Sequence, residues 1–176
     1  RYLGLGDVWM LVTATALRFG LSPDECLEAM VEVRSWVTVP PPESYREEPF
    51  FTAPGEPLRV LVTNAATGHA ETILKFLGLD GAFSHCFTEA GKPEGWRRII
   101  PLLEQVTGIP RQQMLAVGDN LLNDVLPVRE LGVQAVLVDR YGLYPQHFAR
   151  DWVIIRSLDT LFPALLPKTW HRLRPS

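Results

Sequence analysis

Short apolar runs rich in β-branched residues recur from residue 58 onward, with helical patterns between them. The runs are LRVLVTN at 58–64, QMLAVGD at 113–119, VQAVLVD at 133–139 and DWVIIRS at 151–157. Strands buried on both faces need continuous apolar runs of this kind. Helices between such strands connect them in parallel. The pattern therefore predicts an α/β fold with a mostly parallel sheet and helices on both faces.

The first third of the chain has a different residue pattern. Apolar residues at helical spacing predict helices at 7–20 and 22–37. The second helix has a start signal, because Ser22 can cap it, Pro23 suits its first turn and Glu25 can complete a capping box. Six prolines between 39 and 57 then exclude a regular element there. This segment is predicted to be a linker or a long surface loop.

These features divide the chain into four parts. The length of 176 residues favours one domain with a small appendage. We expect a helical segment at 1–38, a proline-rich linker at 39–57, an α/β core at 58–167 and a C-terminal tail at 168–176. Within the core, helices are predicted in TGHAETILKFLGL, in RRIIPLLEQVTG (where Pro101 kinks the helix or marks its start) and in NDVLPVRELG.

Charge, cysteine content and hydropathy exclude several classes of partner. The formal net charge of −3 gives no reason to expect a nucleic acid. The longest apolar stretch, 8–17, is too short to cross a bilayer, so no membrane partner is predicted. The two cysteines, Cys26 and Cys86, have neither disulfide-framework nor metal-ligand spacing, which fits a reducing compartment and a cytoplasmic location. The sequence does not determine an oligomeric state.

Polar residues follow the predicted strands where ligands bind in parallel sheets, at the carboxyl edge. Thr63 and Asn64 end one strand, Asp119 ends another, Asp124 follows five residues later, and Lys92 lies in the intervening loop. A hydroxyl and a lysine suit phosphoryl oxygens, and paired carboxylates suit Mg²⁺. Thr63 alone, or Lys92 alone, is more often an ordinary strand-end or loop residue, but their joint order favours a functional site.

This order resembles the motifs of the haloacid dehalogenase superfamily of phosphohydrolases. LVTN resembles its second motif, GKPEGW its third, which is a lysine commonly followed by proline, and VGDNLLNDV its acidic fourth. The similarity runs from about residue 58 to 139. It implies a Rossmann-like fold, with the N-terminal helices as a small cap. It also implies Mg²⁺ as cofactor and a small phosphorylated metabolite as substrate.

The resemblance implies roles for the same residues. Thr63 and Lys92 would be catalytic and would hold the phosphoryl group, Asn64 would help to bind the substrate, Asp119 would be catalytic and would bind the metal, and Asp124 would bind the metal directly or through water. The family's nucleophile is an aspartate of an Asp-x-Asp motif that ends its first strand, and nothing upstream of Thr63 matches this motif. Either that strand lies upstream of Arg1, or this is a degenerate member that lacks the motif.

Two classes of function follow. The first is a Mg²⁺-dependent phosphohydrolase, and the second is a non-catalytic binding or scaffold protein that keeps the fold without the nucleophile. Dehalogenases, phosphonatases and mutases share these motifs, so the sequence also leaves these three activities as alternatives. A receiver-type regulatory domain is disfavoured because its lysine would follow its aspartates, whereas Lys92 precedes Asp119.

The sequence also predicts the pairing of three strands and the surroundings of Lys92 and Gly118. The strands near 58–63, 114–118 and 134–138 are expected to be parallel and adjacent. Lys92 is expected to be an exposed loop lysine that points into the cleft, where its removal would barely change stability. Any side chain at Gly118 is expected to crowd the exit of its strand.

Overall fold

The computed structural model describes residues 8–35, 58–144, 152–158 and 161. The predicted proline-rich linker at 39–57 and the C-terminal tail at 168–176 lie outside these residues. The helices are α1 (Val8–Arg18), α2 (Pro23–Ser35), α3 (Thr67–Phe76), α4 (Trp96–Thr107) and α5 (Leu126–Glu130). The strands are β1 (Val60–Val62), β2 (His85–Phe87), β3 (Leu115–Gly118), β4 (Gln134–Val138) and β5 (Val153–Ile155).

All strand pairings between the described residues are parallel, as predicted for an α/β fold. β1 pairs with β2, and β3, β4 and β5 form a second sheet in that order. The expected adjacency of β3 and β4 is confirmed, with Leu115 opposite Gln134. The expected adjacency of β1 and β3 is wrong for the described part of the chain, because β1 pairs there only with β2 and β3 only with β4.

The two sheets share one hydrophobic core. Ile99 of α4, Val125, Val128 of α5 and Leu137 of β4 are all at most 1% exposed and belong to a single cluster. Val60 and Val62 of β1 and Ala116 of β3 pack against the same cluster. The site described below therefore rests on one continuous apolar base, although its strands belong to two hydrogen-bonded sheets.

The start of α2 has the predicted capping box. Ser22 N–H donates to Glu25 Oε2 at 2.8 Å, and Glu25 N–H donates to Ser22 Oγ at 3.2 Å. Each side chain thus satisfies a backbone donor that the first turn leaves unpaired. The Glu25 carboxylate accepts from the Ser22 backbone N–H and also from the Ser22 hydroxyl, at 2.8 Å, and these two bonds lower the pKa of the Glu25 carboxyl.

Two predicted helices differ in detail from the structure. α4 continues through Pro101, which neither begins nor ends it. The segment predicted as one helix at 123–132 is instead a π-helical turn, Leu121–Val125, followed by the short α5. The strand β2 was not predicted, because three residues provide too little periodicity to separate a strand from a loop.

An ion pair joins α4 to the segment that leads into β3. Glu104 Oε1 accepts hydrogen bonds from Arg111 N–H and Nε–H, both at 2.9 Å. The bonds from the Arg111 side chain, and then from its backbone, lower the pKa of Glu104 from its ordinary value of 4.5 to about 2.

This pair predicts an acid-sensitive contribution to stability. A carboxyl with a depressed pKa in the folded state stabilises the fold above its unfolded pKa, and the contribution disappears as the pH falls through the folded value. Glu104→Gln is therefore expected to lower the melting temperature at pH 7, and the difference from the parent should shrink between pH 4.5 and pH 2. The exposed Glu71→Gln serves as the control in the same pH series. A difference that stays constant down to pH 2 would show that Glu104 acts through packing.

None of the described helices combines the length and the apolar character that a membrane crossing requires.

Candidate active site

Lys92 lies in the loop between β2 and α4 and reaches across the end of β1. Its ammonium donates to the carbonyl oxygen of Val62 at 3.0 Å and to Asp124 Oδ1 at 2.6 Å. The side chains of Lys92 and Asp124 are only 13% and 10% exposed. The expectation of an exposed loop lysine is therefore wrong, because the ammonium is enclosed between the end of β1 and a buried carboxylate.

The turn after β3 sets the position of Asp124. Asn120 caps this turn, because its Oδ1 accepts Leu122 N–H at 3.0 Å and Asn123 N–H at 2.9 Å. Asp124 then folds back so that its Oδ2 accepts the backbone N–H of Asn120 at 3.2 Å. Both carboxylate oxygens of Asp124 thus already have a protein donor, one from Lys92 and one from the backbone.

Gly118 makes this close return possible. A Cβ at that position would lie 2.4 Å from the Cβ of Asp124 and 2.7 Å from its Oδ2. The predicted crowding at Gly118 is confirmed, and the neighbour that causes it is Asp124. The glycine is needed for a close approach of the Asp124 side chain to the backbone.

Asp119 differs from Asp124 in its surroundings. It directly follows β3 and is exposed, whereas Asp124 is 7% exposed. Within the described ranges no hydrogen bond or ion pair engages the Asp119 carboxylate. The two predicted metal ligands therefore divide into one exposed carboxylate at the sheet edge and one that the protein already holds.

Thr63 and Asn64 follow β1, and each makes a hydrogen bond to the segment between β2 and α4. Thr63 is partly buried, its Oγ1 accepts Ala65 N–H at 3.1 Å, and its carbonyl accepts Ala90 N–H at 3.0 Å. The Asn64 carboxamide binds the backbone of Lys92 twice: Oδ1 accepts Lys92 N–H at 2.7 Å, and Nδ2 donates to Lys92 C=O at 3.1 Å. Both residues thus fasten the end of β1 to the neighbouring loop.

Sequence reasoning missed three residues at this edge. The indole N–H of Trp96 donates to the Asn123 carbonyl at 2.6 Å, and its ring lies 5.9 Å from Lys92 Nζ. Asp139, directly after β4, is 4% exposed and accepts Tyr144 N–H at 3.0 Å. Burial raises the pKa of the Tyr144 phenol, and the carboxylates of Asp139 and Asp119 raise it further. Asp139 could have been found from the sequence, because it is the polar residue that follows the apolar run VLV at 136–138. No comparable pattern in the sequence pointed to Trp96 or Tyr144.

Comparison with known proteins is informative at the level of structure alone. No protein-family model matches the chain, and no curated protein does. A solved HAD phosphatase from Thermococcus onnurineus is 27% identical, with a TM-score of 0.51 over 60% of this chain and 49% of its own. A solved dehalogenase with an intermediate complex has a TM-score of 0.64 at 19% identity, over 90% of this chain and 73% of its own. The chain has a haloacid dehalogenase-like fold.

A further haloacid dehalogenase-like structure is the HAD-hydrolase candidate YfnB of Bacillus subtilis bound to magnesium. It is 21% identical, with a TM-score of 0.52 over 60% of this chain and 48% of that one. The chain spans about half the length of the first solved structures that it matches. In this chain with a haloacid dehalogenase-like fold, Lys92 and Asp124 are in direct contact, and Thr63 and Asp119 directly follow β1 and β3.

The donors at this edge fit Mg²⁺ better than a cation that needs an all-protein cage. Within the described residues, no group of three or more histidine, cysteine, aspartate or glutamate side chains could hold a metal ion. Mg²⁺ commonly keeps several waters and takes only one or two protein carboxylates together with substrate phosphate. The exposed Asp119 satisfies that requirement, and each Asp124 oxygen keeps a lone pair beyond its present donor.

Proposed function

We propose that the protein is a Mg²⁺-dependent phosphohydrolase that acts on a small phosphorylated metabolite. The observation that carries the proposal is the enclosed contact of 2.6 Å between Lys92 Nζ and Asp124 Oδ1, beside the end of β1 and the exposed Asp119. A fixed cation and a free carboxylate at one sheet edge suit a phosphoryl group accompanied by a divalent cation.

The proposal assigns each residue a task. The Lys92 ammonium and the Thr63 hydroxyl bind phosphoryl oxygens, and Lys92 also offsets negative charge there. Asp119 holds the metal, and Asp124 assists it directly or through a water molecule while it orients Lys92. When bound, Mg²⁺ would polarise the phosphoryl oxygens and neutralise charge that develops on them.

Two of the solved structures with this fold support this choice. One is called a HAD phosphatase, and YfnB is described as bound to magnesium. Other neighbours are called dehalogenases. The paired carboxylates favour phosphoryl transfer over dehalogenation, because two acidic side chains beside a lysine provide oxygen ligands for a divalent cation. A cytoplasmic location is part of the same proposal.

The metal and phosphate sites are tested by thermal melts of the chain with Mg²⁺, with inorganic phosphate and with both. Ligands that bind only the folded state raise stability by about 2.7 kcal/mol at a hundredfold excess over the dissociation constant. Asp119→Asn is expected to abolish the Mg²⁺-dependent shift and leave the metal-free melting temperature unchanged. Glu71→Asn, at an exposed position on α3, is the control. A Mg²⁺ shift that survives Asp119→Asn would contradict the assigned ligand.

Turnover is tested on the full-length protein with an aryl phosphate and Mg²⁺. A full-length protein that binds Mg²⁺ and phosphate without turnover would support a second function, a non-catalytic HAD-like binding or scaffold protein. The observation that favours this second function is the lack of an Asp-x-Asp match upstream of Thr63. Reading the natural coding sequence for that motif distinguishes the two before any assay.

A further inference from the structure

The side-chain carboxamide of Asn64 makes two hydrogen bonds to the backbone of Lys92, which lies 28 positions further along the chain. Its oxygen accepts Lys92 N–H at 2.7 Å, and its nitrogen donates to Lys92 C=O at 3.1 Å. Holding both the N–H and the C=O of one residue restrains the φ and ψ angles of that residue. The direction in which the long Lys92 side chain leaves the loop is therefore set by Asn64.

Trp96 acts on the other partner of the ion pair. Its indole N–H donates at 2.6 Å to the carbonyl of Asn123, the residue directly before Asp124. Trp96 is 7% exposed, and the centroid of its ring lies 5.9 Å from Lys92 Nζ. This one side chain therefore holds the backbone that carries Asp124 and also contacts the ammonium, a favourable position for a cation beside an aromatic face.

We propose that Asn64 and Trp96 are positioning residues that hold the Lys92 ammonium against Asp124 and so set the phosphate-binding geometry. The part of this inference that concerns phosphate binding rests on the proposed function. It gives Asn64 a different role from the direct substrate contact predicted from the sequence, because its amide oxygen and one of its N–H groups already bind Lys92. A lysine side chain has many rotamers, so holding both its backbone and its ammonium removes much of its conformational freedom.

The Asn64 arm is tested with a double-mutant cycle of Asn64→Ala, Lys92→Met and the double variant. Inorganic phosphate affinity is measured at a temperature where every variant is folded, and Gln105→Ala removes an exposed carboxamide of α4 as the control. Asn64→Ala is expected to weaken phosphate binding on the order of tenfold, about what one well-made hydrogen bond contributes to an equilibrium. In the Lys92→Met background the same change is expected to have no further effect.

Two results would overturn the role of Asn64. Losses of affinity that add in the double variant would show that Asn64 contacts phosphate itself. A lower melting temperature with unchanged phosphate affinity would show that Asn64 is only structural.

The Trp96 arm uses a matched pair of substitutions. Trp96→Phe keeps a ring beside Lys92 but removes the N–H that binds Asn123. Trp152→Phe makes the same exchange where a cation, Arg129, also lies 5.9 Å from the ring and where the buried indole N–H has no hydrogen-bond partner among the described residues. Trp96→Phe is expected to weaken phosphate binding severalfold, and Trp152→Phe to leave it unchanged. Equal effects of the two substitutions would contradict the proposal.

A second measurement separates this inference from the proposed function. The cost of Asn64→Ala in melting temperature is expected to be smaller in the Lys92→Met background than in the parent, because the ammonium that Asn64 orients is absent. If the parent binds no phosphate and this non-additivity is observed, the proposed function fails and the positioning role stands. If the parent binds phosphate and the melting-temperature losses add, the positioning role fails and the proposed function stands.

Discussion

Asp124→Ala is expected to destabilise the metal-free protein by about 3–5 kcal/mol, the usual cost of removing one partner of a buried ion pair. The substitution leaves the Lys92 ammonium, whose side chain is 13% exposed, with only the Val62 carbonyl as a described acceptor. It also frees the Asn120 N–H that Asp124 Oδ2 accepts. The measurement is urea unfolding in the presence of a metal chelator, so that no bound cation contributes.

Asp119→Ala is the matched control for this experiment. Asp119 is an aspartate at the same sheet edge, but it is exposed, so its loss is expected to change stability by less than about 0.5 kcal/mol. The double variant Lys92→Met with Asp124→Leu removes both charges and is expected to recover most of the loss, because two apolar side chains leave no uncompensated charge. A loss below about 1 kcal/mol for Asp124→Ala would mean that Lys92 reaches solvent freely, as the sequence had suggested.

Gly118→Ala is expected to cost about 1–3 kcal/mol or more, the usual penalty for an extra methyl group in a packed site. The new Cβ would lie 2.4 Å from the Cβ of Asp124 and 2.7 Å from its Cγ. The atoms it meets are the base of a short side chain, so relief requires the turn after β3 to move. That movement would also separate Asp124 from Lys92, so the shifts in thermal melts that the proposed function predicts with Mg²⁺ and with phosphate should be absent in this variant.

Gly68→Ala makes the same change where space is open. Gly68 is the second residue of α3, and a Cβ there would meet nothing within 4 Å. Alanine favours a helix over glycine by up to about 1 kcal/mol, so this variant is expected to be as stable as the parent or more stable. A Gly118→Ala protein that matches Gly68→Ala in stability would show that the turn after β3 is loose and that Gly118 is not required there.

The sequence alone predicted the features that depend on neighbouring residues. The capping box of Ser22 and Glu25 spans three positions, and its bonds form as predicted. The apolar runs around β3 and β4 predicted parallel neighbours, because continuous apolar β-branched segments separated by helices have few other ways to be buried. Crowding at Gly118 was also predictable, since the glycine ends an apolar run directly before a carboxylate, Asp119.

Only the tertiary structure decided how the site is held together. Asn64 and Lys92 are 28 residues apart, and Lys92 and Asp124 are 32 apart. Contacts over such separations depend on how whole strands and loops pack, which a local pattern does not report. Lys92 therefore had the sequence signature of a loop lysine, although packing against Asp124 and Trp96 leaves little of its side chain exposed. The separation of β1 from β3 was also not predictable from the sequence. Apolar periodicity identifies buried strands but not the neighbour with which each strand pairs.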